Sequence, residues 1–360
     1  MERKGINCYM RKDLIDIIMN SIDSGALDIR ECLRRPEKHK NTRGNDLFGY
    51  SPANLAKASL YYSHYCKKFS FNTAEEIFVQ MKVSLAIEEL IFIFNKALFS
   101  NIHCVDFLND MMDIEEIIVE LYSRFSNKPQ KEIQAVLNKK MEIYTNNWNE
   151  FVKDEDNVTL EQLGTFYNSI PFPAACYLND CAKDSLSTAY RALPILLARS
   201  NKSKRIFDFG GNSGMITSAL ANSIDIDYCM LIEENETLLE FAKWRDELFG
   251  IKHVLYNRES YISENIDQFR GQFDLGICTE VLEHVYDVEE TVSNISKLLQ
   301  TGGLLYQTTS FGLYPEPSHL KKNIVYAGHE DELMAKYGLE RIDIQFPIPL
   351  LPTIKVYIKR

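Results

Sequence analysis

The sequence predicts an α/β fold in its C-terminal half: a mostly parallel sheet with an antiparallel edge hairpin, preceded by an all-α N-terminal domain. Three observations predict it. Beyond residue 204, short β-branched or aromatic runs alternate with helical segments, which is the pattern of a parallel sheet covered by helices on both faces. The last two such runs, residues 339–345 and 354–359, have no helix between them and so pair as a hairpin. Between about residues 12 and 200, apolar residues instead recur at three- and four-residue spacing and glycine is sparse.

Taken in order, Ser51-Pro52 has the cap and first-position proline of a helix start, and Thr73 followed by Glu75 and Glu76 starts another with acids in its first turn. The second carries Ile77, Met81, Ile87, Ile91, Phe94 and Leu98 towards a core. Further helices are expected over residues 102–124, 130–148, 160–168 and 182–199, with Pro194 kinking or interrupting the last. The polar link of residues 200–204 marks a boundary, giving domains 1–200 and 201–360. Strands then follow at 205–209, 228–232, 253–256, 273–278 and 304–308, with helices at 215–223, 237–249 and 288–299.

A chain of 360 residues, 45% hydrophobic, is long enough for two domains with their own cores. Its 40 Lys+Arg against 51 Asp+Glu give a formal charge of −11, which argues against nucleic acid as a partner. The densest basic stretch, Arg34 to Arg43, lies among polar residues and reads as a solvated loop. Eight cysteines are scattered without a C-x-x-C pair or metal-like spacing, as expected of reduced, buried thiols. No signal-peptide core follows Met1, and no window approaches the ~18 unbroken apolar residues of a membrane span. A cytoplasmic protein without a membrane partner is the expectation.

The decisive segment runs from Arg205 through Asp208, Gly210, Gly211, Asn212, Ser213 and Gly214: a strand, a glycine-rich turn and a helix start. Gly210 and Gly211 allow a tight turn and close approach to a ligand, and Gly214 lets the helix pack near the strand. Asn212 stands where a further glycine is usual, and asparagine tolerates positive φ. Glu233 ends the next strand, 25 residues beyond Asp208, where a carboxylate can accept hydrogen bonds from both ribose hydroxyls. A nucleoside cofactor follows.

These residues resemble the class I S-adenosylmethionine (SAM)-dependent methyltransferases over roughly residues 200–345. The first motif is Asp208 to Gly214, and the second is Ile232-Glu233 with Phe241-Ala242 nine residues on. The third runs from Phe273 through Glu280, Glu283 and His284, and the fourth carries Gly302-Gly303. The resemblance implies a Rossmann-like sheet and SAM as cofactor. It implies that Asp208 lies near the methionine amino group, that Gly210, Gly211, Asn212 and Gly214 form the loop around methionine and ribose, and that Glu233 holds the ribose. Thr279 and Glu280 would border the methionine part. Adenine contacts fall within residues 253–259, with Asn257 or Glu259 in place of the usual acid.

Methyl transfer from a sulfonium chiefly requires alignment and exclusion of water, and needs a base only where the acceptor must lose a proton. His284 is the candidate base, with Glu283 or another carboxylate fixing its tautomer, if residues 280–284 share a helical face. Glu280, Glu283 and His284 could equally cap and pack the helix, or hold a divalent cation as in similar quinone-precursor methyltransferases. His319 and His329, with Tyr314, Tyr326, Pro315, Pro317 and Gly328, belong to a connection that could form a lid or simply lie in solvent. The aromatic stretch from Phe166 to Tyr177 offers tyrosine faces to a sulfonium, or else plugs a domain interface.

The sequence thus points to a SAM-dependent methyltransferase acting on a small molecule, with the N-terminal helices capping the site. Their size suggests specialised metabolism. Two rivals remain: a SAM-consuming cyclase of the azetidine-2-carboxylate synthase type releasing methylthioadenosine, and a non-catalytic SAM-binding protein.

Overall fold

The computed structural model describes residues 114–183, 185–312, 316–344 and 354–360, with positions 90, 94 and 97. The helix starts expected at Ser51 and Thr73, the basic stretch around Arg34, and Tyr314 and Pro315 lie outside the described residues. Six helices precede the sheet among those described: α1 (Ile114–Ser126), α2 (Gln130–Asn138), α3 (Lys140–Phe151), α4 (Leu160–Ser169), α5 (Pro173–Lys183) and α6 (Ser185–Asn201).

The helix expected over residues 130–148 is two helices, broken at Lys139, which leaves the helical region at φ −114°. Helix α6 continues through Pro194 without the expected interruption. Helix α4 starts at a reciprocal cap, in which Gln162 N–H donates to the Thr159 hydroxyl and Thr159 N–H donates to the Gln162 side chain. It is held by Phe166, wholly buried, whose ring meets Tyr144, Trp148 and Tyr167 at 4.9, 5.1 and 5.2 Å.

The sheet is built from β1 (Arg205–Phe209), β2 (Tyr228–Ile232), β3 (Val254–Asn257), β4 (Phe273–Thr279), β5 (Leu299–Thr308), β6 (Leu339–Ile342) and β7 (Ile354–Lys359). Its order is β3-β2-β1-β4-β5-β7-β6, parallel except for β7, which is antiparallel to both β5 and β6. The edge hairpin is therefore present, with the last strand inserted inside the first of the pair. Strand β5 begins at Leu299, earlier than expected. The register jumps from Phe273↔Leu299 to Leu275↔Leu304, so that Gly302 and Gly303 form an irregularity within the strand.

Helices α7 (Met215–Ser223), α8 (Glu236–Leu248) and α11 (Val288–Leu298) follow the alternation, and each of the latter two starts at a capping side chain, Asn235 or Asp287. Short helices α9 (Glu259–Glu264) and α10 (Ile266–Phe269), and α12 (Glu330–Lys336), complete the connections. One face of the sheet presents Phe207, Phe209, Met230 and Ile232 to a core closed by Val292, Ile295 and Leu298 of α11.

Residues 94–184, 191–344 and 350–360 form one compact unit. Within it, α1 and α5 pack on α8, and α3 and α4 pack on each other. Tyr122 and Phe125 of α1 stack against Phe241 of α8 at 5.5 and 5.3 Å, and Ile117 and Leu121 join Phe249 and Ile251 in a buried cluster. Each such side chain taken out of water contributes about 1.5–3 kcal/mol.

Candidate functional site

Strand order reverses at β1, which has β2 on one side and β4 on the other. The crevice beyond the strand C-termini at this point is where open α/β sheets bind ligands. Here it opens into a cavity of ≈ 670 Å³.

The glycine bend forms its floor. Gly210, Asn212 and Gly214 have φ of 63°, 57° and 70°, so three of five successive residues take the left-handed conformation. Gly210 lines the cavity, and both it and Gly211 are also required by close packing. A Cβ on Gly210 would meet Val281 Cγ2 at 2.6 Å, and one on Gly211 would meet the Asp208 carboxyl carbon at 2.6 Å. Gly214 does allow the helix to sit against the strand, since a Cβ there would lie 2.9 Å from Leu231.

Glu233 turns towards the bend. Asn212 N–H and Asn235 N–H each donate to its carboxylate at 3.0 Å, and burial raises its pKa despite those bonds. Asp208, only 1% exposed, accepts from the Thr217 hydroxyl at 2.9 Å, while its other oxygen, Oδ1, has no partner among the described residues. Burial pushes this carboxyl up to about 7. A buried, half-satisfied carboxylate beneath a glycine bend is a receptor for an ammonium group. Glu259 lines the cavity and is likewise raised to about 7 by burial. Asn257, its alternative for adenine, uses its carbonyl to accept from Glu233 N–H at 3.1 Å.

The segment after β4 is not helical, because Glu280 has φ 52° and the next helix starts only at Val288. The shared helical face expected of Glu280, Glu283 and His284 therefore does not form. Glu280 and His284 line the cavity, whereas Glu283 is buried and accepts from the Thr309 hydroxyl and Ser310 N–H, both at 3.0 Å. Thr279 pairs with Thr308 at the end of the strand.

The tautomer of His284 is set by Ser318 rather than by Glu283: Nδ1 lies 3.0 Å from both the Ser318 carbonyl and its hydroxyl. With Nδ1–H donated to that carbonyl, Nε2 carries the lone pair. Burial and the neighbouring His319, whose ring is 4.6 Å away edge-on, lower the His284 pKa to about 4. Among the described residues, ligand atoms of Glu283, His284 and His319 lie within 4.8 Å of one another, close enough to share a cation. His329 instead pairs with Glu332 at an exposed helix start.

The helical segment supplies the opposite wall. Leu160, Leu163, Gly164, Tyr167 and Asn168, one face of α4, line the cavity with Tyr144 and Tyr177. Tyr167 is hydrogen-bonded to Ser318 and Tyr177 to Tyr144, and burial keeps both phenols well above their ordinary pKa. The aromatic stretch singled out in the sequence, Phe166 to Tyr177, spans the end of α4 and the start of α5, and its Tyr167 and Tyr177 line the cavity. Tyr144 and Ser318 were missed, although the spacing of residues 160, 163, 164, 167 and 168 does mark a helical face.

A parallel sheet of this order, with a glycine bend at β1 and a carboxylate at the tip of β2, defines a nucleoside-binding domain of the methyltransferase type. Accordingly, a family described as "Methyltransferase domain" matches residues 185–344. A ubiquinone biosynthesis O-methyltransferase of Coxiella burnetii is 23% identical over 218 residues, spanning 53% of this chain and 86% of that protein. One from Bordetella avium is 31% identical over 114 residues, 31% of this chain and 45% of its own length. The O-methyltransferase TomG from Streptomyces achromogenes, solved with SAM, aligns at a TM-score of 0.37 with 16% identity, over 48% of this chain and 81% of that one. The C-terminal half of the chain is a class I SAM-dependent methyltransferase domain. The residues present are compatible with SAM: Glu233 lines the cavity where the ribose would lie, and Asp208, behind the bend and not itself in the lining, would offer its unpartnered oxygen to the amino group. No helix among the described residues is long and apolar enough to cross a membrane.

Proposed function

We propose that the enzyme methylates an oxygen of a small molecule bound against Tyr144, Tyr167 and Tyr177. The observation that carries this reading is that one cavity joins Glu233 and the glycine bend to His284 and the tyrosines. SAM supplies an electrophilic methyl carbon on its sulfonium. Asp208 would take the methionine ammonium and Glu233 the ribose hydroxyls, while Glu259 stands beside the adenine. The half-buried tyrosines narrow the access of water and offer their faces to positive charge. His284, neutral at pH 7, would accept the acceptor's O–H proton at Nε2 and pass it to solvent, with Ser318 holding the ring in place. An oxygen acceptor accords with the two curated relatives described above, both O-methyltransferases. The pathway proposed is specialised metabolism.

Incubation with methyl-labelled SAM and cell extract tests the reading. Labelled small-molecule product with S-adenosylhomocysteine supports it; methylthioadenosine instead would indicate cyclisation, and no product a binding protein. His284→Gln should lower transfer about 10²–10⁴-fold with S-adenosylhomocysteine affinity retained. A chelator should leave turnover unchanged; loss restored by a divalent cation would assign Glu283, His284 and His319 to a metal.

A further inference from the structure

The largest fully buried side chain of the described residues is charged: Arg245, on α8, whose side chain is 1% exposed. Neither it nor its neighbour Asp246, 2% exposed, lines the cavity. Arg245 reaches behind the glycine bend, where Nη1 donates to the Ser213 carbonyl at 2.8 Å and Nη2 to the Gly214 carbonyl at 3.2 Å. Nη2 also bonds the Ser218 hydroxyl and lies 2.9 Å from Asp246 Oδ1. Ser218 Oγ lies 2.7 Å from both the Gly214 carbonyl and Asp246 Oδ1, and can give its one proton to either. On the far side, the Tyr256 hydroxyl of β3 donates to Asp246 Oδ2 at 2.8 Å.

We propose that Arg245, oriented by Asp246 and Tyr256, is a positioning residue that fixes the shape of the SAM loop. The inference rests on the cofactor reading above. The bend contains three left-handed residues in a run of five, two of them glycines, and such a segment has many conformations open to it. Its front is held by Glu233 through Asn212 N–H. Its back is held by two carbonyls on one rigid guanidinium fork. In a trans peptide the carbonyl and the N–H point in opposite directions, so fixing the carbonyls of Ser213 and Gly214 also fixes the N–H groups of Gly214 and Met215. Stability alone is a poor reason for a buried ion pair, because apolar replacement of both partners is often neutral. What such a replacement loses here is the hold on two loop carbonyls.

The test compares wild type, Arg245→Met/Asp246→Leu, Arg245→Lys and Tyr256→Phe for S-adenosylhomocysteine affinity by calorimetry. Thermal unfolding and hydrogen exchange of residues 209–217 are followed in parallel. The double variant should melt below wild type, because the Ser213 carbonyl and the Tyr256 hydroxyl lose their partners, and where folded should bind about tenfold more weakly and exchange faster in that segment than elsewhere, with Arg245→Lys intermediate. Tyr256→Phe removes one hydrogen bond to Asp246 and should show the same direction with a smaller loss; it decides the matter if the double variant does not fold. Wild-type affinity and exchange in a folded double variant, or in Tyr256→Phe where that must decide, would overturn the proposal. Failure of wild type itself to bind would overturn the cofactor reading instead.

Discussion

Glu233→Ala separates two roles that one carboxylate plays. In the folded protein it accepts from Asn212 and Asn235 N–H, both at 3.0 Å. Bonds to a charged acceptor are worth about 1.5–3 kcal/mol each, offset in part by the burial that raises this carboxyl's pKa, so the variant should lose about 1–3 kcal/mol of stability, or about 2–12 °C in Tm for a body of this size. In the complex the same carboxylate would accept from ribose hydroxyls. A hydrogen bond to a charged group is worth about 1.5–3 kcal/mol, which converts to about 10- to 150-fold in affinity. Calorimetry with S-adenosylhomocysteine, run well below the variant's Tm as followed by circular dichroism, reads the two effects independently. A lowered Tm with affinity within about twofold of wild type would refute the ribose assignment, leaving Glu233 as a tie for the bend.

Gly211→Ala should abolish S-adenosylhomocysteine binding, since the added methyl would lie 2.5 Å from Leu231 Cδ1 and 2.6 Å from the Asp208 carboxyl and force both to shift; unchanged binding would contradict the need for this close packing in the ligand site. The Asp208 pKa is raised from 3.8 to about 7 in the folded chain, so its stabilising contribution is complete below about pH 4 and is lost as pH rises through 7. Denaturant midpoints of the ligand-free protein should therefore fall from about pH 5 to about pH 8. Asp208→Asn should flatten that slope in part, Glu259 retaining a share in the same direction, and an unaltered slope would contradict the assignment. Phe166→Ala should cost about 3–5 kcal/mol, because three aromatic rings lose their shared neighbour; a loss under about 1 kcal/mol by urea denaturation would mean that the helical wall repacks freely.

The sheet was legible because each of its signals is local. A strand of apolar residues, a glycine bend and an acid at the next strand's tip can be read from contiguous residues, and Glu233 meets Asn212 as the spacing implies. What escaped the sequence is settled by tertiary contact. Residues 280–284 would share a face only as a helix, yet the left-handed Glu280 turns the segment away, and the partner of His284 proves to be Ser318, 34 positions on. Likewise Arg245 looks like an ordinary polar residue of an amphipathic helix, and only the back of the bend shows why it points inward.

Helix α4 gives one face to the cavity and its Phe166 and Leu163 to a core that also holds Leu320, two residues beyond Ser318. The cofactor grip proposed above, by contrast, lies at the tips of β1 and β2. Substitutions along Leu160, Leu163, Gly164, Tyr167 and Asn168 can thus recast which molecules are admitted while the adenosyl grip is left alone. Divergence of substrate range within such a lineage should be recorded mainly in this one helix, with the strand tips changing little.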